Sequence, residues 1–202
     1  YKAVGELKAG DVVDVTGFLY WYEGVNTHIT AVTPVGSVNA KSEGVMTYAE
    51  YAAAAMDAEV VIEAYVQATQ SWWDNKITVY AQDPDGAYFI YEMACSEEDA
   101  AKLTKGTKIR VIGYKGTWAG EVEIVDATFE ILEGNYVAEA LDATDKLGTN
   151  DIVKLQNMKL SFKGLTVVEI SYQGGERGKD IYVKFSLNDQ IYEFCVESYL
   201  TG

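Results

Sequence analysis

Histidine occurs once in these 202 residues, at His28, while proline and cysteine occur twice each. So few histidines and cysteines exclude a standard zinc centre, which needs three or four such ligands at close spacing. No glycine-rich phosphate loop is present either, and no catalytic residues are proposed. Basic residues are also scarce: 16 Lys and Arg face 31 Asp and Glu, a net charge of −15. Binding to phosphates depends on clustered positive charge that displaces counterions, so nucleic acid is disfavoured as a partner. No apolar run reaches 18 residues, and no membrane-spanning helix is expected. A chain that begins at Tyr1 is expected to be a fragment or a processed product, so a missing signal peptide carries no weight.

What is plentiful is aromatic and β-branched: 15 Tyr, 4 Trp and 49% hydrophobic residues overall. Such a composition favours an ordered chain built from strands. The chain also repeats itself. Residues 7–35 align without a gap on residues 103–131 at a constant offset of 96. Gly17 falls on Gly113, Gly24 on Gly120, Val15 on Val111 and Ala31 on Ala127. Glycines kept in register while their neighbours drift point to shared backbone geometry. His28 aligns with Ile124, which reads as packing rather than catalysis.

Period-two alternation predicts strands over 11–18 and 28–35, joined by an aromatic turn. Thr47 with Glu50 has the spacing of a capping box and predicts a short helix continuing through Met56. Strands follow over 59–69, 76–82 and 87–93, the last two joined by the turn Asp83-Pro84-Asp85-Gly86. That turn starts like an EF-hand loop but lacks its later acidic ligands, so a hairpin turn is the better reading. Ser96, followed by Glu97, Glu98 and Asp99, caps a second short helix rather than forming a metal site. Strands over 108–114 and 121–132 complete the unit.

Five strands with a helix between the third and fourth is the plan of the OB-fold, a Greek-key barrel. The plan then restarts with strands over 158–170 (broken at Gly164), 181–186 and 190–196, and lacks a fourth and fifth strand. Residues 1–36 hold only that missing pair. The expectation is therefore all-β with short helices: two OB-fold-like five-stranded barrels. One spans 40–134. The other joins 135–202 to 1–36, within one chain or by strand exchange with a neighbouring copy. Cys95 and Cys195 each follow an Ile-Tyr-Glu tripeptide at equivalent places in separate modules, so two buried free thiols are expected.

The ligand face of such a barrel is formed by its second and third strands and by two loops. Those loops hold Trp72 and Trp73 in the first and Trp118 in the second. Tyr80 and Tyr88 extend the surface along the strands. In the other module the equivalent residues are Tyr172 in the first loop and Tyr20, Trp21 and Tyr22 in the second. Exposed rings there stack on nucleobases or sugar faces. The alternative is that they close the barrel end as core.

The stretch YVQATQSWWDNKITVYAQDPDGAYFIYEMACSEEDAAKLTKGTKIRVIGYKG resembles OB-type modules strung along secreted or cell-surface bacterial proteins. The resemblance implies an extracellular setting and a non-catalytic binding or scaffolding role without a cofactor. Carbohydrate, bound through the loop aromatics, is the favoured ligand class, with a glycan or a surface protein as partner. A structural spacer and a single-stranded nucleic-acid binder are the second and third readings.

Overall fold

A computed structural model describes residues 13–21, 25–34 and 44–198, with the first two segments described as backbone alone. Strands β1 (Val13–Trp21) and β2 (Val25–Pro34) form an antiparallel hairpin. The hairpin runs further toward its turn than the alternation indicates. It has a bulge between Thr16 and Gly17.

Helix α1 (Tyr48–Ala53) begins with the anticipated capping box. The Thr47 hydroxyl accepts from the Glu50 amide at 3.2 Å, and the Glu50 carboxylate accepts from the Thr47 amide at 2.7 Å. It stops earlier than Met56, and Lys115 shows how its end is satisfied. The buried Lys115 ammonium donates to the carbonyls of Tyr51, Ala52 and Ala54 at 2.8–3.0 Å. Cations belong at a helix C-terminus, where carbonyls lack amide partners.

Five strands then close a barrel: β3 (Glu59–Thr69), β4 (Lys76–Gln82), β5 (Ala87–Ala94), β6 (Thr107–Trp118) and β7 (Glu121–Asn135). Their order is β3-β4-β5-β7-β6, and β6 returns to β3. Helix α2 (Glu97–Ala100), capped by Ser96, lies between the third and fourth of these strands. This is the expected OB-like arrangement. Alternation places Val60, Ile62, Ala64 and Val66 inside with Val79, Ile90, Ile109, Val111 and Ile124, all fully buried. The seam between β5 and β7 is parallel and only two residue pairs long, Phe89 with Glu123 and Ile90 with Ile124.

Gly113 occupies a bulge between Ile112 and Tyr114 on β6. A Cβ there would lie 2.7 Å from the Ile124 side chain and 2.8 Å from the Val125 carbonyl. Gly120 has a different reason, a φ of +95° in the two-residue turn it forms with Ala119. Of their counterparts, Gly17 follows the matching bulge, and Gly24 lies outside the described residues.

Asp83 anchors its turn as an Asx motif. Its Oδ1 accepts from the amides of Asp85 and Gly86, both at 2.8 Å. The chain leaving β7 stays on the barrel. Gln67 accepts from the Ala138 amide and donates to the Tyr136 carbonyl, while the Lys159 amide donates to Gln82. Strands β8 (Leu141–Asp142) and β9 (Leu160–Ser161) form a short parallel pair. Residues Asn150–Leu155 form a short 3-10 helix.

Beyond Gly164 the chain makes a three-stranded sheet of β10 (Thr166–Tyr172), β11 (Ile181–Leu187) and β12 (Gln190–Val196). A second closed barrel is not formed among the described residues: β1–β2 and β10-β11-β12 are separate sheets. The two Ile-Tyr-Glu tripeptides also occupy different places. Ile90 pairs with Val79, three pairs inward of Gln82–Ala87, whereas Ile191 pairs with Ser186 beside the turn. Cys95 is buried as expected, but Cys195 is exposed: it pairs with Tyr182, on the face of the sheet that carries Lys184 and Glu193.

Candidate functional site

The outer face of β4 and β5 carries a row of rings. The four-residue turn pairs Gln82 with Ala87, which sets Tyr80 opposite Phe89. Their ring centroids are 5.2 Å apart, and Tyr91 continues the row 6.3 Å from Phe89. Thr78 on β4 faces two residues of β5, Tyr91 and Glu92. Glu92 takes the left-handed conformation there, with φ +45°, and its amide donates to the Thr78 hydroxyl at 3.1 Å. Bulges of this kind re-aim side chains, and Glu92 meets Lys76 at 2.9 Å.

Two loops rise beside this face. Trp73 and Lys76 bracket a tight turn in which Asp74 and Asn75 both have positive φ. Trp118 stands at the end of β6 beside the Ala119-Gly120 turn. Trp73 is 58% exposed and Trp118 76%. Together they border a groove of about 950 Å³ floored by Tyr80, Phe89 and Tyr91.

The groove is acidic. Glu92, Glu121, Glu123 and Glu197 line it, and its one lysine, Lys76, is already paired with Glu92. Burial pushes the Glu121 carboxyl above the usual carboxylate range, against a hydrogen bond from Asn157 that lowers it. Burial likewise raises Glu123. Asn157 reaches the groove from the segment after the barrel, its side chain donating to the Val122 carbonyl at 3.1 Å. Gln156 beside it accepts from the Val122 amide and donates to the Gly120 carbonyl, both at 2.9 Å.

The residues singled out in the sequence divide sharply. Trp73, Trp118 and Tyr80 meet in the groove. Trp72 points the other way, packs against the core, and donates its indole N–H to the Cys95 carbonyl at 2.9 Å. Tyr88 is fully buried and its hydroxyl donates to Asp83 at 3.2 Å. Pairing Tyr80 with Phe89 leaves Tyr88 on the inner face, so Tyr80 and Tyr88 cannot share a surface. Tyr172 ends β10, half-buried and outside the groove. Tyr20 and Trp21 lie on β1, whose side chains are not described, and Tyr22 lies outside the described residues. Sequence reasoning missed Phe89 and Tyr91, which the turn length alone would have placed beside Tyr80. It also missed Glu121, Glu123 and Asn157. Among the described residues no cluster of His, Cys, Asp and Glu is arranged to hold a metal ion.

No family model and no curated protein matches the chain. Solved structures do. One is described as the molecular basis for abrogation of activation of pro-inflammatory cytokines, at 13% identity and TM-score 0.37, covering 68% of this chain and 74% of that one. The HIN domain of Ifi202 in complex with 20-bp double-stranded DNA matches at 14% identity and TM-score 0.35, covering 68% and 77%. A murine DNA-binding protein bound with double-stranded DNA matches at 13% and 0.34, covering 68% and 73%.

Two expectations are corrected at this point. DNA in two of these matched structures runs against setting nucleic acid aside as a partner, and against an extracellular or cell-surface location. A glycan or surface-protein partner has no support among the matches either, and both are withdrawn.

Proposed function

We propose that the chain is a non-catalytic binding module whose ligand lies in the groove between Trp73 and Trp118. The observation that carries this reading is the pair of exposed indoles on two different loops, lining one groove together with Tyr80, Phe89 and Tyr91. Isolated exposed apolar residues are ordinary, but five rings gathered in one concavity are not.

The chemistry of the walls selects the ligand. Aromatic faces attract cations, Arg above all, and each such contact contributes about 0.5–2 kcal/mol. Glu121 and Glu123 are partly desolvated, so a cation that reaches them replaces lost hydration. An extended peptide segment bearing Arg or Lys fits both features. The second reading, single-stranded nucleic acid, is supported by stacking rings on the strands and loops that OB barrels use for that purpose. Four carboxylates in the groove oppose the phosphates it would bring.

Tryptophan fluorescence titrations with an Arg-containing peptide and with an oligo-dT strand, each at low and high salt, separate the two. Saturable peptide binding that weakens more than tenfold in Trp118→Ala supports the first reading. Oligonucleotide binding that falls steeply with salt would replace it with the second. Neither ligand binding at any salt would remove the binding-module reading.

A further inference from the structure

The sheet β10-β11-β12 has two unlike faces. Register places Val167, Ile170, Tyr172, Ile181, Val183 and Phe185 on one face, where Tyr192, Phe194 and Val196 join them from β12. The opposite face carries Glu169, Lys184 and Glu193, with Lys184 and Glu169 paired at 2.7 Å. An amphipathic sheet of this kind folds by covering its apolar face. Here that face is covered only in part: Phe162 rests on Phe194 with ring centroids 5.5 Å apart, Gly148 lies against Tyr192, and the β10 side stays exposed. Val167 and Ile170 are 54% and 55% exposed, and among the described residues nothing after Ala143 is buried.

The barrel shows what belongs there. Its meander β3-β4-β5 has the same order, and its first strand is bulged between Val66 and Ala68 as β10 is between Val167 and Glu169. In the barrel, β6 pairs with β3, and β7 pairs with β5. That closing hairpin is the segment which residues 7–35 repeat at an offset of 96. The equivalents of Val13, Val15 and Ala31 are Ile109, Val111 and Ala127, all core residues. The bulge is repeated too, at Thr16/Gly17 against Ile112/Tyr114. The hairpin register differs by one residue: Gly17 pairs with Ile29, whereas Val125, the equivalent of Ile29, pairs with Tyr114, so Val13 and Val15 share a face with Pro34 and Val32 while Ala31 falls on the other face.

We propose that the β1–β2 hairpin of one copy of this chain closes the apolar face and open edges of β10-β11-β12 in a second copy. Within a single chain no strand of the hairpin is hydrogen-bonded to β10-β11-β12, and the proposal assigns that place to a second copy. The contact is heterologous, donor on acceptor, so it propagates unless two copies exchange hairpins and close.

Two full-length variants test this. Val13→Asp with Val15→Asp disables the donor, and Val183→Asp with Phe185→Asp disables the acceptor. Light scattering should show the mass of the unaltered chain rising with concentration. Each variant alone should stay at one chain mass, and an equimolar mixture should reach twice that mass and no more. Amide exchange in β3–β7 should be unchanged throughout, showing that the barrel is intact. The proposal is overturned if the unaltered chain remains at one chain mass at every concentration, which includes closure by its own hairpin. It is equally overturned if either variant assembles alone, or if the mixture gives no dimer.

Discussion

Trp72 and Trp118 illustrate how differently one residue type serves this barrel. Trp72 plugs the barrel end and satisfies the Cys95 carbonyl, whereas Trp118 stands mostly in solvent. Trp72→Ala is expected to cost about 3 kcal/mol, because it removes packing and leaves a carbonyl without its donor. Trp118→Ala is expected to change stability by less than about 0.5 kcal/mol. Urea denaturation of the two variants checks both. The carboxyls on the same wall make a second prediction. Burial raises Glu121 and Glu123 above their unfolded value, so the folded state holds its protons to higher pH. Their contribution is most favourable below the unfolded pKa and is lost as pH rises through the raised one. Glu123→Gln should therefore stabilise the chain at neutral pH and not at pH 4. Melting temperatures measured across that range would show the sign. A cation in the groove has the opposite effect on both groups and should bind more weakly as pH falls through the same window.

At the scale of elements, local signals were readable wherever a turn or cap is built from neighbouring residues. Thr47 with Glu50 and Asp83 with Gly86 are such cases, because short-range hydrogen bonds decide them. Five strands and a helix in the right order were likewise legible from alternation. Facing was missed although the turn encodes it: four residues between Gln82 and Ala87 set Tyr80 against Phe89 and so turn Tyr88 inward. Glu92 was hidden, because its aim depends on a bulge whose cause lies across the sheet at Thr78. The glycines of β6 give the prediction for this scale. Gly113→Val places side-chain atoms against the Ile124 side chain and Val125 backbone and is expected to cost about 3 kcal/mol. Gly120→Ala meets no neighbour, so only its φ of +95° counts, at about 1 kcal/mol. Equal losses in thermal unfolding would contradict this division into a spatial and a conformational glycine.

Across the whole molecule, burial ends where the barrel's trailing segment ends. Gln67, at the bulge of β3, ties Tyr136 and Ala138 to the barrel, and Gln156 with Asn157 ties the chain back to β7. Gln156→Ala is expected to loosen that strap without unfolding the barrel. Limited proteolysis should then cut first within residues 144–160, while β3–β7 stay intact. The repeat at an offset of 96 was visible in sequence through Gly17 on Gly113 and Gly24 on Gly120. The exposure of Val167 and Ile170 was not, because it depends on what packs against the sheet rather than on the residues themselves.

The barrel ladder with the fewest residue pairs, two, lies between β5 and β7. Phe89 and Glu123 form one of these pairs and also line the groove. Trp73, on the β4 side, and Trp118, beyond β6, stand on opposite banks of that join. A ligand that touches both banks would therefore clasp the barrel ladder with the fewest paired residues. Occupancy should raise the force at which the barrel tears when the chain is stretched, with little effect on how quickly it re-forms.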